Sequence, residues 1–410
     1  MINTNKRLFI FFLIIFANSI LFSAPFFSGM TGVKLNYHGN TEISENESTY
    51  NPYLSLQAFF AGQFNFSEKV WGRTEFSLEI SDLLNNHIVS NGSPSTFRIE
   101  ELSLVLKGET LPLTNYLSIF LGNYEGIGSD IFLRKYFGIE SISSKLITSY
   151  LGLSGSKILK QNGLGIGDVL VLKNSPIAYG FYTYINYESS DDSLSFLLNT
   201  DFRFAISLQY FTLDILAGLG IPLKTPENDY LIAVQTAYWH AGTNILIGNN
   251  YTQSLFIQLG LFNVAFNREQ INPLNEKFYL LFEPRFNIGK CNLDFTLYTF
   301  PKEMQKKLND LPFLSGTFGG NINIYIESIR LGKNLFTIGL NSNISYSNTD
   351  INDILNNTHR EDKLNVTLGA YTSTNFLIGE LSCIIKINCT EFSKNSGNVF
   401  SADLGFKAKF

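Results

Sequence analysis

Few residues in this 410-residue sequence are of a type that does chemistry, and those few are scattered. The four histidines, His38, His87, His240 and His359, lie far apart, and Cys291, Cys383 and Cys389 do not stand at zinc-ligand spacing. One pair invites a closer look. In HIVSNG, His87 and Ser90 would form an activated hydroxyl if the imidazole could reach the serine oxygen. Three positions apart on a strand, the two side chains point to opposite faces, and Asn91, Gly92 and Pro94 make the stretch a loop in any case. No Gly-rich phosphate cradle links a strand to a helix, and no basic patch is laid out for nucleic acid. The sequence therefore carries no expectation of an enzyme, a catalytic residue, a metal, a cofactor or a nucleic-acid partner. Cys383 and Cys389, six residues apart in what reads as one strand, stand roughly 20 Å from each other at ~3.3 Å per residue, too far to bond.

What the polar residues do is alternate. In VWGRTEFSLEIS, Val70, Gly72, Thr74, Phe76, Leu78 and Ile80 share one face, while Trp71, Arg73, Glu75, Ser77, Glu79 and Ser81 share the other, a period of two that a helix would scramble. In KFYLLFEPRFNIG, Phe278, Leu280, Phe282, Phe286 and Ile288 oppose Glu283, Arg285 and Asn287. In TFGGNINIYIES, Phe318, Ile322, Ile324 and Ile326 oppose Asn321, Asn323, Tyr325 and Glu327. The elements are thus strands of ~10 residues, the length a tilted strand needs to cross hydrocarbon. Their polar face is rich in Asn, Ser, Thr, Gly and Tyr and poor in charge, unlike the exposed face of a soluble sheet.

Composition points the same way. Charged residues make up 16%, against ~25% in ordinary soluble domains, while there are 37 Phe and 20 Tyr. The N-terminus, MINTNKRLFIFFLIIFANSILFSAP, has Lys6 and Arg7 ahead of an apolar run and small residues up to Ala24, the pattern of a signal peptide over 1–24. The run is shorter than the roughly 20 residues a membrane helix needs. No Pro/Gly/Ser tract or charge block divides the rest, so 25–410 reads as a single domain. An exported, weakly charged, aromatic-rich chain without apolar helices points to a closed barrel.

Loop lengths test this independently. Long connections at 38–51, 82–97 and 123–145 alternate with short ones at 65–69 and 108–113. From the other end, 390–397, 347–362, 301–316 and 266–276 alternate with short turns near 373–375, 329–333 and 289–290. That is the asymmetry of a barrel with long loops on one side and both termini on the other. Six strands are read before residue 154 and eight after 252. Candidates at 177–187, 194–211, 213–220, 230–240 and 244–249 lie between, and two or four strands there give an all-β, transmembrane antiparallel up-and-down barrel of about 16 strands, 16 or 18.

The final strand adds a resemblance. Phe400, Ala402, Leu404, Phe406, Ala408 and Phe410 share one face, and Ser401, Asp403, Gly405, Lys407 and Lys409 the other. This resembles the C-terminal assembly signal of bacterial outer-membrane β-barrels, with the chain ending on an aromatic. The resemblance implies an outer-membrane location with both termini periplasmic, outer-membrane lipid and the barrel assembly machinery as partners, and the trimeric homo-oligomers common among porin-like barrels. It also implies passive diffusion of small polar solutes through a water-filled lumen; the alternative is a surface barrel whose long loops make it an adhesin or structural protein. The expected pore lining is Arg73, Glu75, Glu79, Glu283, Arg285, Asp294 and Glu327, with Lys386 and Lys407 on the same polar face. Removing Lys6 and Arg7 with the leader takes the formal charge from -5 to -7, a weak bias toward cations.

The segment EGIGSDIFLRKYFGIESISSK, 125–145, is the longest break in the strand pattern and the third long loop. Ser129 and Asp130 would cap a short helix there, and Asp130, Arg134 and Lys135 are the constriction candidates if it bends inward as the third loop of porins does; otherwise it is an outer surface loop. A helical turn is expected in PKEMQKKLNDLPFL, outside the membrane. HIVSNG resembles the His-x-Ser-Asn-Gly stretch of outer-membrane phospholipase A, but with one residue too many between His87 and Ser90. No plug or hatch domain is expected ahead of the first strand, which is read as starting near Met30. The high Asn, Ile and Lys usage fits an AT-rich genome, such as that of a spirochaete.

Overall fold

The computed structural model describes residues 26–410, leaving out 45–46, 51, 85–94, 111, 126–130, 140–141, 145, 148–162, 191–192, 224–236, 250–251, 266–276, 306–307, 309–310, 312, 333, 357–362, 377 and 395–396. The expected leader, the HIVSNG stretch, His359, and the capping pair Ser129 and Asp130 therefore lie outside the described residues.

Alternation produces strands, and the strands form one antiparallel sheet. In chain order they are β1 (Phe26–Ser44), β2 (Tyr53–Ser67), β3 (Val70–Ile80), β4 (Ser95–Thr110), β5 (Leu113–Gly122) and β6 (Gly163–Leu172). There follow β7 (Ile177–Ser190), β8 (Ser193–Leu208), β9 (Phe211–Pro222), β10 (Tyr238–Gly248), β11 (Gln253–Ala265) and β12 (Phe278–Ile288). The last six are β13 (Cys291–Thr299), β14 (Phe318–Leu331), β15 (Asn334–Tyr346), β16 (Leu364–Phe376), β17 (Gly379–Asn388) and β18 (Gly397–Lys409). A short piece, Glu47–Tyr50, extends the β1–β2 ladder.

Each strand pairs with its sequence neighbours, and β1 also pairs with β18, Val33 opposite Phe406 and Tyr37 opposite Ala402. Closure gives every strand two partners, so no row of N–H and C=O groups is left open. The terminal residue takes part: Gly29 N donates to Phe410 O at 2.8 Å, Phe410 N donates to Gly29 O at 3.0 Å, and the Phe410 ring lies 5.2 Å from that of Phe27. Short links (68–69, 173–176, 209–210, 289–290) lie at one end, and the strand ends that open the long connections, Gly122 and Thr299 among them, at the other.

The barrel has eighteen strands, within the expected 16 or 18. Five strands, not six, precede residue 154, and the sixth is Gly163–Leu172. GLGIGDVLVL hides its alternation because Gly163, Gly165 and Gly167 form its inward face, while Leu164 and Ile166 point outward, 58% and 55% exposed. The glycines make room for aromatic rings from β7: a Cβ on Gly165 would fall 2.3 Å from Tyr184 Cβ, and one on Gly167 2.8 Å from the Tyr182 ring. Of the candidates 230–240 and 244–249, residues 238–240 and 244–248 belong to the one strand β10, while 230–236 lie outside the described residues, and Cys389 opens a short helix, Cys389–Lys394, instead of continuing the strand of Cys383.

The two faces differ as the alternation requires. Val33, Leu117, Ile119, Phe181, Phe202, Ile324, Leu340 and Leu404 stand exposed around the outside. Inward, the wall carries Lys34, Glu75, Ser118, Asp201, Arg203, Asn244, Gln258, Glu283, Asn321, Asn343 and Asp403, all buried. Gly165→Ala is expected to cost about 1–3 kcal/mol by overpacking, read as a lower denaturant midpoint in detergent micelles, whereas Ile166→Val on the other face should leave the midpoint in place.

Candidate functional site: a partly filled lumen

The connection after β5 turns into the barrel. Gly122, at φ +95, places its α-carbon side against the Glu100 carbonyl, where a Cβ would sit 2.4 Å from that oxygen. Asn123 N then donates to Glu100 O at 2.6 Å, and Asn123 Nδ2 donates to Glu100 Oε2 at 2.9 Å. A bulge in β4 between Ile99 and Glu101 is what turns Glu100 toward this root. Glu125 follows at φ +48, a left-handed conformation that costs a non-glycine residue roughly 1–2 kcal/mol.

Beyond it, helix α1 (Ile131–Phe137) and residues 142–144 and 146–147 lie inside the barrel. Phe132, Leu133, Ile142, Leu146 and Ile147 are all buried, packed with Phe120, Val169, Tyr182, Leu246, Phe256, Tyr279 and Leu281 from the inner wall. Of the two placements open for this loop, the structure has the inward one. The reason is the apolar content of IFLRKYF, which finds matching aromatic and aliphatic side chains on β5 to β13.

Two polar latches hold the segment. In the first, Glu125 accepts hydrogen bonds from Lys135 Nζ, Tyr136 Oη and Tyr182 Oη, each at 2.7 Å. Arg203, fully buried on β8, donates from Nη1 to the Glu125 carbonyl, pairs with Asp214 through Nε at 2.7 Å and Nη2 at 2.5 Å, and lies over the Phe132 ring at 3.9 Å. In the second, Ser144 Oγ donates to Glu283 Oε2 at 2.5 Å, Thr296 Oγ1 donates to the same oxygen at 2.7 Å, and Arg285 links Glu283 Oε1 (2.8 Å) to the Ser143 carbonyl (3.0 Å).

A second connection also folds inward, against the expectation that PKEMQKKLNDLPFL lies outside. After a 3-10 turn at Lys302–Met304, Met304, Leu308, Leu311 and Leu314 bury in the same cluster as α1, and Phe313 packs 5.4 Å from the inward-facing Tyr371 ring. Apolar residues at roughly helical spacing need a core, and this one is reached through the barrel mouth. Its root is tied to the 347–363 connection by Lys302 with Asp353 (2.8 Å) and Asp350 (3.2 Å). The hydrogen bond to Asp353, followed by that to Asp350, raises the Lys302 ammonium above its ordinary range even though its partial burial acts the other way.

The two segments fill one side of the lumen. Inward side chains of β8 to β12 such as Asp201, Thr212, Asn244, Gln258 and Tyr279 are buried. On β1 to β3 and on β16 and β17 the inward face keeps solvent access, at Asn36, Gln57, Ser77, Tyr371, Ser373 and Lys386, with 25% for the Arg73 side chain and 31% for that of Glu79. An inward side chain can be exposed only to space inside the barrel, so among the described residues the solvent-accessible part of the lumen lies along this part of the wall. A separate cavity of about 510 Å³ lies by the short links, bounded by Tyr136, Phe137, Val171, Lys173 and Ser207.

The expected lining residues are distributed as follows. Arg73 pairs with Glu75 and with Glu101 (3.6 Å), and Glu79 pairs with Arg98 (3.4 Å), both beside the passage. Glu283 and Arg285 stand behind α1 as its second latch. Asp294 accepts from Asn323 Nδ2 at 3.3 Å within the wall, and Glu327 is exposed beside Ser328, which has φ +58. Lys135 is drawn into the first latch, while Arg134 is exposed on the other side of α1. Ala402, Leu404, Phe406 and Ala408 alternate along β18 with inward Ser401 and Asp403, up to Phe410 at the seam. Sequence reading did not single out Arg203, Asp214, Tyr182 or Glu125. The only signal for the first two was an arginine and two aspartates, Arg203, Asp201 and Asp214, on the inward face of β8 and β9.

Solved structures that match the chain include bacterial porins. A triple mutant of the Rh. blastica porin covers 94% of this chain and 100% of its own, at 9% identity and a TM-score of 0.43. OmpF of Salmonella typhi in complex with daunomycin covers 93% of this chain and 97% of its own, at 10% identity and a TM-score of 0.40. No protein-family model matches the sequence, and no curated protein matches it.

Arg203→Met would strand Asp214 without its counter-charge and free the Glu125 carbonyl, a loss of about 3–5 kcal/mol. The expected outcome is faster proteolytic cleavage within 123–147 with the β-sheet circular dichroism retained; unchanged cleavage would show that the latch does not hold the segment.

Proposed function

We propose that the chain is an outer-membrane channel for the passive diffusion of small polar solutes, exported by a leader over 1–24 and oriented with both termini periplasmic and the long connections outside. The observation that carries this reading is the inverted polarity of a closed barrel: apolar side chains around the outside, polar side chains within, and a passage left open beside two inward-folded segments. In water the outer belt would be untenable. At ~1.5–3 kcal/mol for each large apolar side chain withdrawn from solvent, burying it in hydrocarbon is worth tens of kcal/mol. Strands of this length match the bilayer thickness, and closure satisfies the backbone where no water can.

Arg73, Glu79 and Arg134 are the proposed lining of the narrow zone, with Glu75 buried behind Arg73 as its counter-charge. Charge there is mostly paired, which suits neutral and weakly charged solutes. The proposed partners are outer-membrane lipid, the assembly machinery, which would read the Ala402 to Phe410 face of β18, and two further copies in a trimer.

In planar lipid bilayers the purified protein is expected to give stable conductance steps in KCl, and removal of residues 131–147 should raise the unit conductance severalfold by widening the passage. Absence of conductance overturns the channel reading. Deletion of Phe410 is expected to lower the amount of folded barrel in the outer membrane severalfold while detergent refolding still succeeds. Equal amounts of wild type and deletion in the membrane would argue against the assembly role.

A further inference from the structure

The half-buried or buried cations that the strands aim into the barrel are almost all neutralised. Lys34 pairs with Asp403 at 2.9 Å, Arg73 with Glu75, Lys107 with Glu109 at 2.6 Å, Arg203 with Asp214 at 2.5 Å, Arg285 with Glu283 at 2.7 Å, and Lys407 with Glu380 at 3.5 Å. Lys386 on β17 breaks the pattern. Its neighbours Ile385 and Ile387 face outward, 43% and 44% exposed, so its own side chain faces inward, and among the described residues it has neither an ion-pair nor a hydrogen-bond partner.

The strand register shows what surrounds it. Lys386 stands opposite Ser401 on β18, which in turn stands opposite His38 on β1, so the three lie in one row across the seam. On its other side it meets Gly369 of β16, which is opposite Asn341 of β15. Ser401 and Gly369 are small, the Phe313 ring stands 3.7 Å from where a Cβ on Gly369 would be, and Lys386 itself keeps partial solvent access. The carboxylate of Asp403, two residues along β18 from Ser401, acts on Lys386 electrostatically but makes its ion pair with Lys34. The His38 ring is stacked on Tyr53 at 4.3 Å. Lys34 and Lys386 thus share one carboxylate, and among the described residues Lys386 is a partly solvent-accessible ammonium with no ion pair of its own and a hydroxyl-bearing residue opposite it on the paired strand.

We propose that Lys386 is a binding station for small oxyanions, carboxylate- or phosphate-bearing solutes, with Ser401 as a neighbouring hydroxyl donor. The proposal rests on the channel reading above and specifies its solute class. A cation left unpaired in a confined, partly desolvated wall gains most from an anion that replaces its lost water. The local charge facing the passage, not the net charge of -5, then decides which solutes pause there. Lys386 is not part of either latch, so replacing it leaves the constriction intact.

The test is conductance in KCl with inorganic phosphate added as the probe. Wild type is expected to show a phosphate-dependent decrease in conductance. Lys386→Gln should need about tenfold more phosphate for the same decrease, equivalent to the ~1.4 kcal/mol of one charge-assisted contact, with its phosphate-free conductance within about twofold of wild type. Lys386→Arg should keep the sensitivity. No phosphate effect on wild type, or the same sensitivity in Lys386→Gln, overturns the station while leaving the channel standing. No conductance from any variant removes the channel reading itself, and this inference with it.

Discussion

The constraint on which this structure rests is that every strand N–H and C=O group must find a partner within the protein. A sheet of eighteen strands has two edges, and the pairing of β1 with β18 removes both. Much else follows from that closure. An even number of antiparallel strands returns the chain to the end it started from, so Phe26 and Phe410 lie together with the short links. The pleat then has one face toward the axis and one away from it, and each residue's parity in its strand decides which it meets.

Closure also creates an interior too wide for wall side chains alone to fill. This protein fills one side of it with its own connections. The 123–147 and 300–316 segments supply an apolar core, and aromatic residues of the inner wall complete it. A core built against a polar wall needs its charges paired, because removing a charge from water without a partner costs several kcal/mol. Arg203 with Asp214 and Arg285 with Glu283 meet that need and double as anchors for the segment in front of them. Lumen shape and charge pairing are thus consequences of one another.

Much of this was legible beforehand where side chains alternate cleanly. The face assignments of 70–81 and 278–288 and the long-short rhythm of the connections could be read because each depends only on neighbours in sequence. The reading faltered at Gly163–Leu172, where glycines left one face blank, and the reason for those glycines, Tyr182 and Tyr184, stands in the next strand. It also faltered at 301–316, whose apolar residues look like those of any loop helix until a cavity is there to receive them.

Parity and terminal chemistry are local properties, so the sequence by itself determined that this chain makes a barrel of antiparallel strands, apolar outside and polar inside, closed by an aromatic last residue. Which connections enter the lumen, which charges neutralise one another and which inward side chains stay open to solvent were decided by the tertiary structure. Those outcomes depend on residues as far apart as Glu125 and Arg203 meeting inside the barrel, or His38 and Lys386 falling into one row at the seam, and no spacing along the chain encodes either.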